Sequence, residues 1–412
     1  MATLIACRDC GAIQHMPPAP EAGDVQCYQC ARPLEKTAGR SLDGALACSI
    51  ATFLLLFPAN LLPLMTVHIL GVSTSTYIAS GLSYSWRENW PWVTIVLALA
   101  GIVLPFLRFG LLSVTLTAIR FGFHGPWAGT AFRYCETLDL WAMADVLLIG
   151  AGIGYGRVVS QLPVQIDAGG WCFVGTALLT MITRASLERR AVWRRLKMPP
   201  SKLGPGSVAC TYCDLLLPQE FEEERCPRCM GRVHRRFPYS FRQCAALTAA
   251  CWLVTPLAYA FPMSEYWRAG TAHPRTIIIG IKLLFEHGYW YFGIVIFLLS
   301  VWLPFSKLAG LTWFLITVRY EHSRAHLRFK TRFYRFVDES GRWSMLDPFT
   351  VMIFAPMVQF GQEIHTEFLG GTAAYIAAII LSMVAARVFD PRLMWDTMET
   401  GEELAAIEAV GA

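Results

Sequence analysis

Val301-Trp302-Leu303-Pro304-Phe305-Ser306-Lys307 sets a lysine deep inside an apolar run extending from about residue 290 to residue 318. About 20 such residues are enough to cross a bilayer as a helix. An ammonium at that depth is costly unless it is paired or faces water, so Lys307 is a candidate functional residue. The stretch has a counterpart, Leu104-Pro105-Phe106-Leu107-Arg108, whose proline lies 199 positions before Pro304 and is again followed three residues later by a cation. The two copies stay in register through Arg120 and Arg319, which implies a duplicated membrane module.

Working outward, the 412 residues are 55% hydrophobic and 16% charged, with a mean hydropathy of +0.42. That balance points to a polytopic membrane protein and away from a soluble enzyme. The net charge of +5 does not signal a nucleic-acid partner, because the basic residues concentrate in particular loops where they would orient helices in a bilayer. Apolar runs lie at about 45–67, 92–119, 138–159 and 171–187, and again at 245–263, 290–318, 343–360 and 372–389. The first begins too late and runs too long for a cleaved signal peptide. Prolines 58, 63, 105, 256, 262, 304, 348 and 356 fall in or beside these runs, where kinks or breaks are expected. The Trp-rich segments near Trp86–Trp92 and Trp290 suit interfacial belts.

Eight of the 13 cysteines form Cys-x-x-Cys pairs: Cys7/Cys10, Cys27/Cys30, Cys210/Cys213 and Cys226/Cys229. Two such knuckles can bring four thiolates into a tetrahedron around zinc, and a segment this short would draw much of its folding free energy from the metal. Iron in a rubredoxin-like site and a redox dithiol are the alternatives. The other five cysteines read as small buried hydrophobes.

The repeat extends further. Gly81 and Gly280 correspond, as do Trp141-x-Met143-x-Asp145 and Trp343-x-Met345-x-Asp347, and Thr180-Met181 and Ser382-Met383. The fold expected is an all-α polytopic membrane protein of two tandem parallel repeats, each a four-cysteine zinc ribbon followed by four transmembrane helices, eight in total. The divisions are a first ribbon (1–40), a first module (41–190), a linker with the second ribbon (191–240), a second module (241–392) and an acidic tail (393–412). Arginines and lysines cluster at 184–242 and 319–342, while the loops near 68–90, 160–170, 264–287 and 361–369 carry fewer. The positive-inside rule therefore places both ribbons and both termini in the cytoplasm, a reducing compartment that suits metal-bound thiolates.

The copies differ where chemistry could reside. Module 2 offers Ser300, Lys307, Ser344, Asp347 and Ser382; the matching set in module 1 is Gly101, Arg108, Ala142, Asp145 and Thr180. A lysine can exchange its proton where an arginine cannot. Module 2 is therefore expected to hold a polar pocket built on Lys307 and Asp347, and Arg108/Asp145 to form an ion pair between helices. The competing reading of both pairs is structural glue. The sequence has neither a Gly-x-x-x-x-Gly-Lys-[Ser/Thr] phosphate loop nor a His-Glu-x-x-His zinc motif, and the histidines fall at or outside helix ends. No enzyme activity is expected.

The four Cys-x-x-Cys pairs, Asn60-Leu-Leu-Pro63, Leu303-Pro-Phe305 with Lys307, Trp343-Ser-Met-Leu-Asp347 and Phe389-Asp-Pro-Arg-Leu-Met-Trp395 together resemble the paraquat-inducible protein A (PqiA/LetA) family of Gram-negative inner-membrane proteins. The first half departs from that pattern at Arg108 and Ala142. The resemblance implies a periplasmic partner, an MCE-domain protein forming a tunnel through which lipids pass between inner and outer membranes. It would make this chain the inner-membrane component that loads or receives lipid at the tunnel's base. A scaffold or envelope-stress sensor, whose ribbons bind a cytoplasmic partner, is the alternative, followed by a redox membrane enzyme.

Overall fold

The computed structural model describes residues 3–16, 24–36, 41–69, 72–123, 125–159, 163–196, 207–268, 271–286, 288–320, 326–357 and 364–396; the tail beyond residue 396 lies outside them. The repeat holds element by element. Module 1 runs helix Leu42–Leu61, strands Met65–Ile69 and Val72–Thr76, helix Ile78–Arg87, long helix Pro91–Arg120, helices Pro126–Leu138 and Ala144–Val159, strand Val164–Ile166 and helix Ala168–Ser186. Module 2 runs helix Ser240–Ala260, strands Ser264–Arg268 and Thr271–Arg275, helix Ile277–Glu286, long helix Trp290–Arg319, helices Leu327–Ser340 and Leu346–Met357, strand Ile364–Phe368 and helix Gly370–Val388.

Five of these helices are long and apolar enough to cross a membrane, or six if the bent pair Ala168–Ser186 and Arg189–Arg195 counts as one span. The protein is thus a multi-pass membrane protein, mostly helical. The third apolar run of each half is shorter than a usual span, at 16 residues for Ala144–Val159 and 12 for Leu346–Met357.

Two expectations need correction. The architecture is not purely helical, because in each half a hairpin and a later strand form a three-stranded antiparallel sheet. The first apolar run ends at Leu61, and Met65–Ile69 is extended; its β-branched alternation suits a strand. Nor do the prolines all break helices. Pro58 and Pro256 sit inside continuous helices. Pro105 and Pro304 follow a π-helical turn, Leu99–Val103 and Phe297–Trp302, that lets each long helix run past its proline.

Within each half the first and last helices pair along their length, Leu42–Leu61 with Ala168–Ser186 and Ser240–Ala260 with Gly370–Val388. A glycine makes both pairings possible. A methyl at Gly169 would stand 2.6 Å from the Pro63 carbonyl oxygen, and one at Gly371 would stand 2.6 Å from that of Pro262. Buried hydroxyls on these helices turn back onto their own carbonyls, as Thr52 does to Cys48 and Thr176 to Cys172, which satisfies their donors inside the helix pair.

The two short third helices join the modules face to face. Val146, Leu147 and Ala151 of one share a buried cluster with Phe349, Met352 and Ile353 of the other. Gly150 lies so close to the other helix that a methyl there would be 3.1 Å from the Thr350 backbone nitrogen. The join is not symmetric: a side chain at Gly81 would collide with the Met352 backbone, whereas Gly280 faces open space.

The four-cysteine lobes dock crosswise. Cys7, Cys10, Cys27, Cys30 and Leu34 pack with Leu311, Phe314, Tyr334 and Phe389, all of module 2. Cys210, Cys213, Cys226 and Cys229 pack with Ala45, Leu112, Leu116 and Phe132, all of module 1. Each lobe therefore sits on the module that the other lobe precedes in the chain. Arg335 anchors the first lobe through Asp9 at 2.7 Å, and the Arg228 carbonyl of the second lies tight against Gly129. Arg8 joins the two lobes to each other through Asp214 at 2.7 Å.

Candidate functional site

Each lobe gathers its cysteines into a buried cluster whose sulfurs all lie within 4.8 Å of one another. The chain-crossing edges are 3.5 and 3.6 Å in the first lobe and 3.6 Å twice in the second. A tetrahedron with metal–sulfur bonds of about 2.3 Å has edges of roughly 3.8 Å, so the donor sets fit a zinc or iron ion. The backbone supports the same geometry. In each knuckle the residue after the second cysteine (Gly11, Ala31, Asp214 or Met230) takes a positive φ between 54° and 78°. Its amide donates back to the first cysteine's carbonyl. Three of those four residues are not glycine and carry the cost of the left-handed conformation, about 1–2 kcal/mol each. Four buried thiolates at contact distance would need a cation between them.

The membrane-embedded candidates form two unlike sites. In module 1 the expected Arg108–Asp145 pair does not form. Arg108 pairs instead with Asp139, just past helix Pro126–Leu138. Arg184 bridges Asp139, at 2.8 Å, and Asp145. Arg342 reaches across from module 2 to within 3.9 Å of Asp145. Arg184 also donates to the Asp139 and Ala142 carbonyls. Three arginines and two carboxylates thus close into one network that ties the last helix, the third helix and the neighbouring module together. Thr180 is spent on the Thr176 carbonyl.

In module 2 the corresponding network is dismantled. The position matching Asp139 is Gly341 and the position matching Arg184 is Ala386. Lys307 is 1% exposed, and its Nζ has no hydrogen-bond partner among the described residues. It sits against the vacated position: a methyl at Gly341 would be 3.3 Å from Nζ. Ser300 and Ser344 are buried and their hydroxyls are likewise unpartnered. Lys307 and Asp347, the two residues on which the polar pocket was expected, share no hydrogen bond among the described residues. Asp347 instead accepts from the Tyr375 hydroxyl at 3.3 Å. Ser382 donates to the Ile379 carbonyl.

Pro304 lacks the N–H that would serve the Ser300 carbonyl four residues back. Tyr259 donates to that carbonyl instead, and the Tyr375 hydroxyl, whose proton goes to Asp347, stands 3.5 Å from it. These tyrosines and Gly341 escaped the sequence reading. The repeat held the signal, since the matching residues are Asn60, Phe173 and Asp139.

A lysine and two serines without hydrogen-bond partners among the described residues, and a tyrosine-bound carboxylate, set module 2 apart from its ion-paired twin in a duplicated multi-pass membrane protein. The comparisons with known proteins agree with that class. The family model described as paraquat-inducible protein A matches residues 42–197 and again residues 241–399, one match on each module, and the chain belongs to that family. The relatives include the "Lipophilic envelope-spanning tunnel protein A" of Escherichia coli (strain K12), 28% identical over 96% of this chain and 92% of the relative. The "Intermembrane transport protein PqiA" of the same strain is 23% identical over 97% of both chains. A "Probable intermembrane transport protein" of Haemophilus influenzae is 23% identical over 95% of both. No solved structure matches the chain.

Proposed function

We propose that this protein is the inner-membrane component of an MCE-type lipid transport system, loading or receiving lipid at the base of a periplasmic tunnel, and that module 2 carries the working site. The reading is supported by one contrast above the rest. Module 1 pairs Arg108 and Arg184 with Asp139 and Asp145, whereas module 2 leaves the side chains of Lys307, Ser300 and Ser344 buried with no hydrogen-bond partner among the described residues, Lys307 packed against Gly341. A buried polar group without a partner costs free energy, and a protein tolerates that at a site where something else must bind or a proton must move. A lipid headgroup offers phosphate or hydroxyl oxygens to a lysine and two serines. Proton exchange at Lys307 offers a means of driving release.

In this reading the chain crosses the membrane eight times. The short third helices count as crossings because each runs from the arginine network to a sheet strand. At 1.5 Å per residue, 16 residues span about 24 Å; back-to-back packing shields both short helices from lipid. The sheets face the periplasm and the MCE-domain partner, while both termini and both lobes are cytoplasmic. Cys7, Cys10, Cys27 and Cys30 hold one structural zinc, and Cys210, Cys213, Cys226 and Cys229 another.

The test is replacement of Lys307 by methionine and of Asp347 by asparagine in cells lacking the native protein. Both variants should reach the membrane at normal level and fail to restore the envelope barrier. Full rescue by both would reject the site. Co-purification of the wild-type chain with an MCE-domain protein, followed by identification of bound lipid, tests the partner.

A further inference from the structure

Outside the membrane site, a cleft of about 590 Å³ opens between helix Pro126–Leu138 and the second cysteine lobe. Its lining includes Arg133, Arg225, Arg232 and His234, with Tyr134 and Tyr212 beside them, and no carboxylate. Among the described residues none of the three arginines has an ion-pair partner. Arg8 and Arg189, by contrast, both meet Asp214 of the second lobe.

Arg133 is also held in place. Its guanidinium lies over the Tyr134 and Tyr212 rings, 5.0 and 5.3 Å from their centroids. Stacking of this kind fixes the plane while leaving the edge N–H groups free to donate. Three unneutralised guanidiniums around one concavity repel each other unless an anion joins them, His234 adds a further ring N–H donor, and phosphate oxygens match guanidinium donors in pairs.

We infer that this cleft binds a phosphate ester, with an anionic phospholipid headgroup as its natural source. Position favours the lipid over a soluble ester. The cleft's helix follows long helix Pro91–Arg120 after only five residues, and Phe237 and Pro238 of its lining lead directly into helix Ser240–Ala260. Phe121, Phe123, Trp127, Tyr134 and Tyr239 are exposed around it, as aromatics are at a membrane–water interface. The site would hold a lipid on the lobe side of the protein, well apart from Lys307. It does not depend on the transport reading, and its readout is binding alone.

The full-length protein, purified in detergent and stripped of lipid, would be titrated with phosphatidylglycerol, phosphatidylcholine and glycerol 3-phosphate. Phosphatidylglycerol should bind in preference to phosphatidylcholine. R133Q and R232Q should each weaken it about fivefold, as expected for one cation beside an anionic headgroup, with metal content unchanged. If excess glycerol 3-phosphate displaces the lipid, the same phosphate site takes a soluble ester; if it does not, the bilayer lipid is the ligand. Arg232 is exposed, so R232Q keeps the question answerable should R133Q misfold. Unchanged affinity in R232Q and in H234Q, or no preference for the anionic lipid, would overturn the assignment.

Discussion

Gly341 carries more meaning than its missing side chain suggests. Asp139 joins Arg108 and Arg184 in module 1; replacing it strands the buried Arg108, while Arg184 keeps Asp145. Because the Asp139 side chain is partly exposed, solvent screens part of the loss, and Asp139→Gly should lower membrane yield and melting temperature. The reverse exchange, Gly341→Asp, places a carboxylate against Lys307 and restores the arrangement of module 1. That variant should fold at least as well as the wild type yet lose transport, a pairing of outcomes seen by measuring thermal stability and envelope integrity on the same cells. Retained transport would mean that an unpaired Lys307 is not needed. The exchange is visible in the sequence alignment of the two repeats, but a missing carboxylate announces nothing until the lysine beside it is located. The cysteine sets were legible at once, since their spacing alone specifies the chemistry.

Among the elements, the long apolar helices were legible because apolar runs of this length have few alternatives, but Ile78–Arg87 and Ile277–Glu286 fell in stretches read as loops, and Pro126–Leu138 and Leu327–Ser340 were not foreseen. Nor were the sheets. Met65–Ile69 follows an apolar helix after three residues, and its Met, Val and Ile extend the hydrophobic signal across the boundary. Its alternation with Thr66 and His68, and the β-branched Val72–Thr76 strand, were the cues available. Close approach between elements is similarly invisible until both are placed. The matched pair Gly81 and Gly280 gives a controlled test. A side chain at Gly81 must displace the Met352 backbone at the join between modules, while one at Gly280 meets nothing. Gly81→Ala should destabilise by about 1–3 kcal/mol through overpacking, and Gly280→Ala should be neutral or slightly stabilising through helix propensity. Comparing unfolding midpoints of the two variants decides this. Equal effects would show that the modules do not meet as described.

For the molecule as a whole, sequence order suggested that each lobe serves the module behind it, and nothing in the chain's spacing could say otherwise. Crosswise docking changes what metal loss should do. Purified protein should contain two metal ions per chain, and zinc by elemental analysis would separate the reading from an iron site. Cys27→Ser should lose one ion and loosen module 2, because that lobe covers Cys244. Cys226→Ser should lose one ion and loosen module 1, because the other lobe covers Cys135. Thiol labelling mapped by mass spectrometry reads both: the first variant should expose Cys244 and spare Cys135, and the second should do the opposite. Labelling confined to the neighbouring module in sequence would contradict the docking.

The crossed lobes also constrain how such a chain could have arisen. A single half, cut off from its sibling, would lack the lobe that covers its membrane face here, and its own lobe would lack the module it rests on. Two identical halves trading lobes would restore both contacts at once, the arrangement of a domain-swapped dimer.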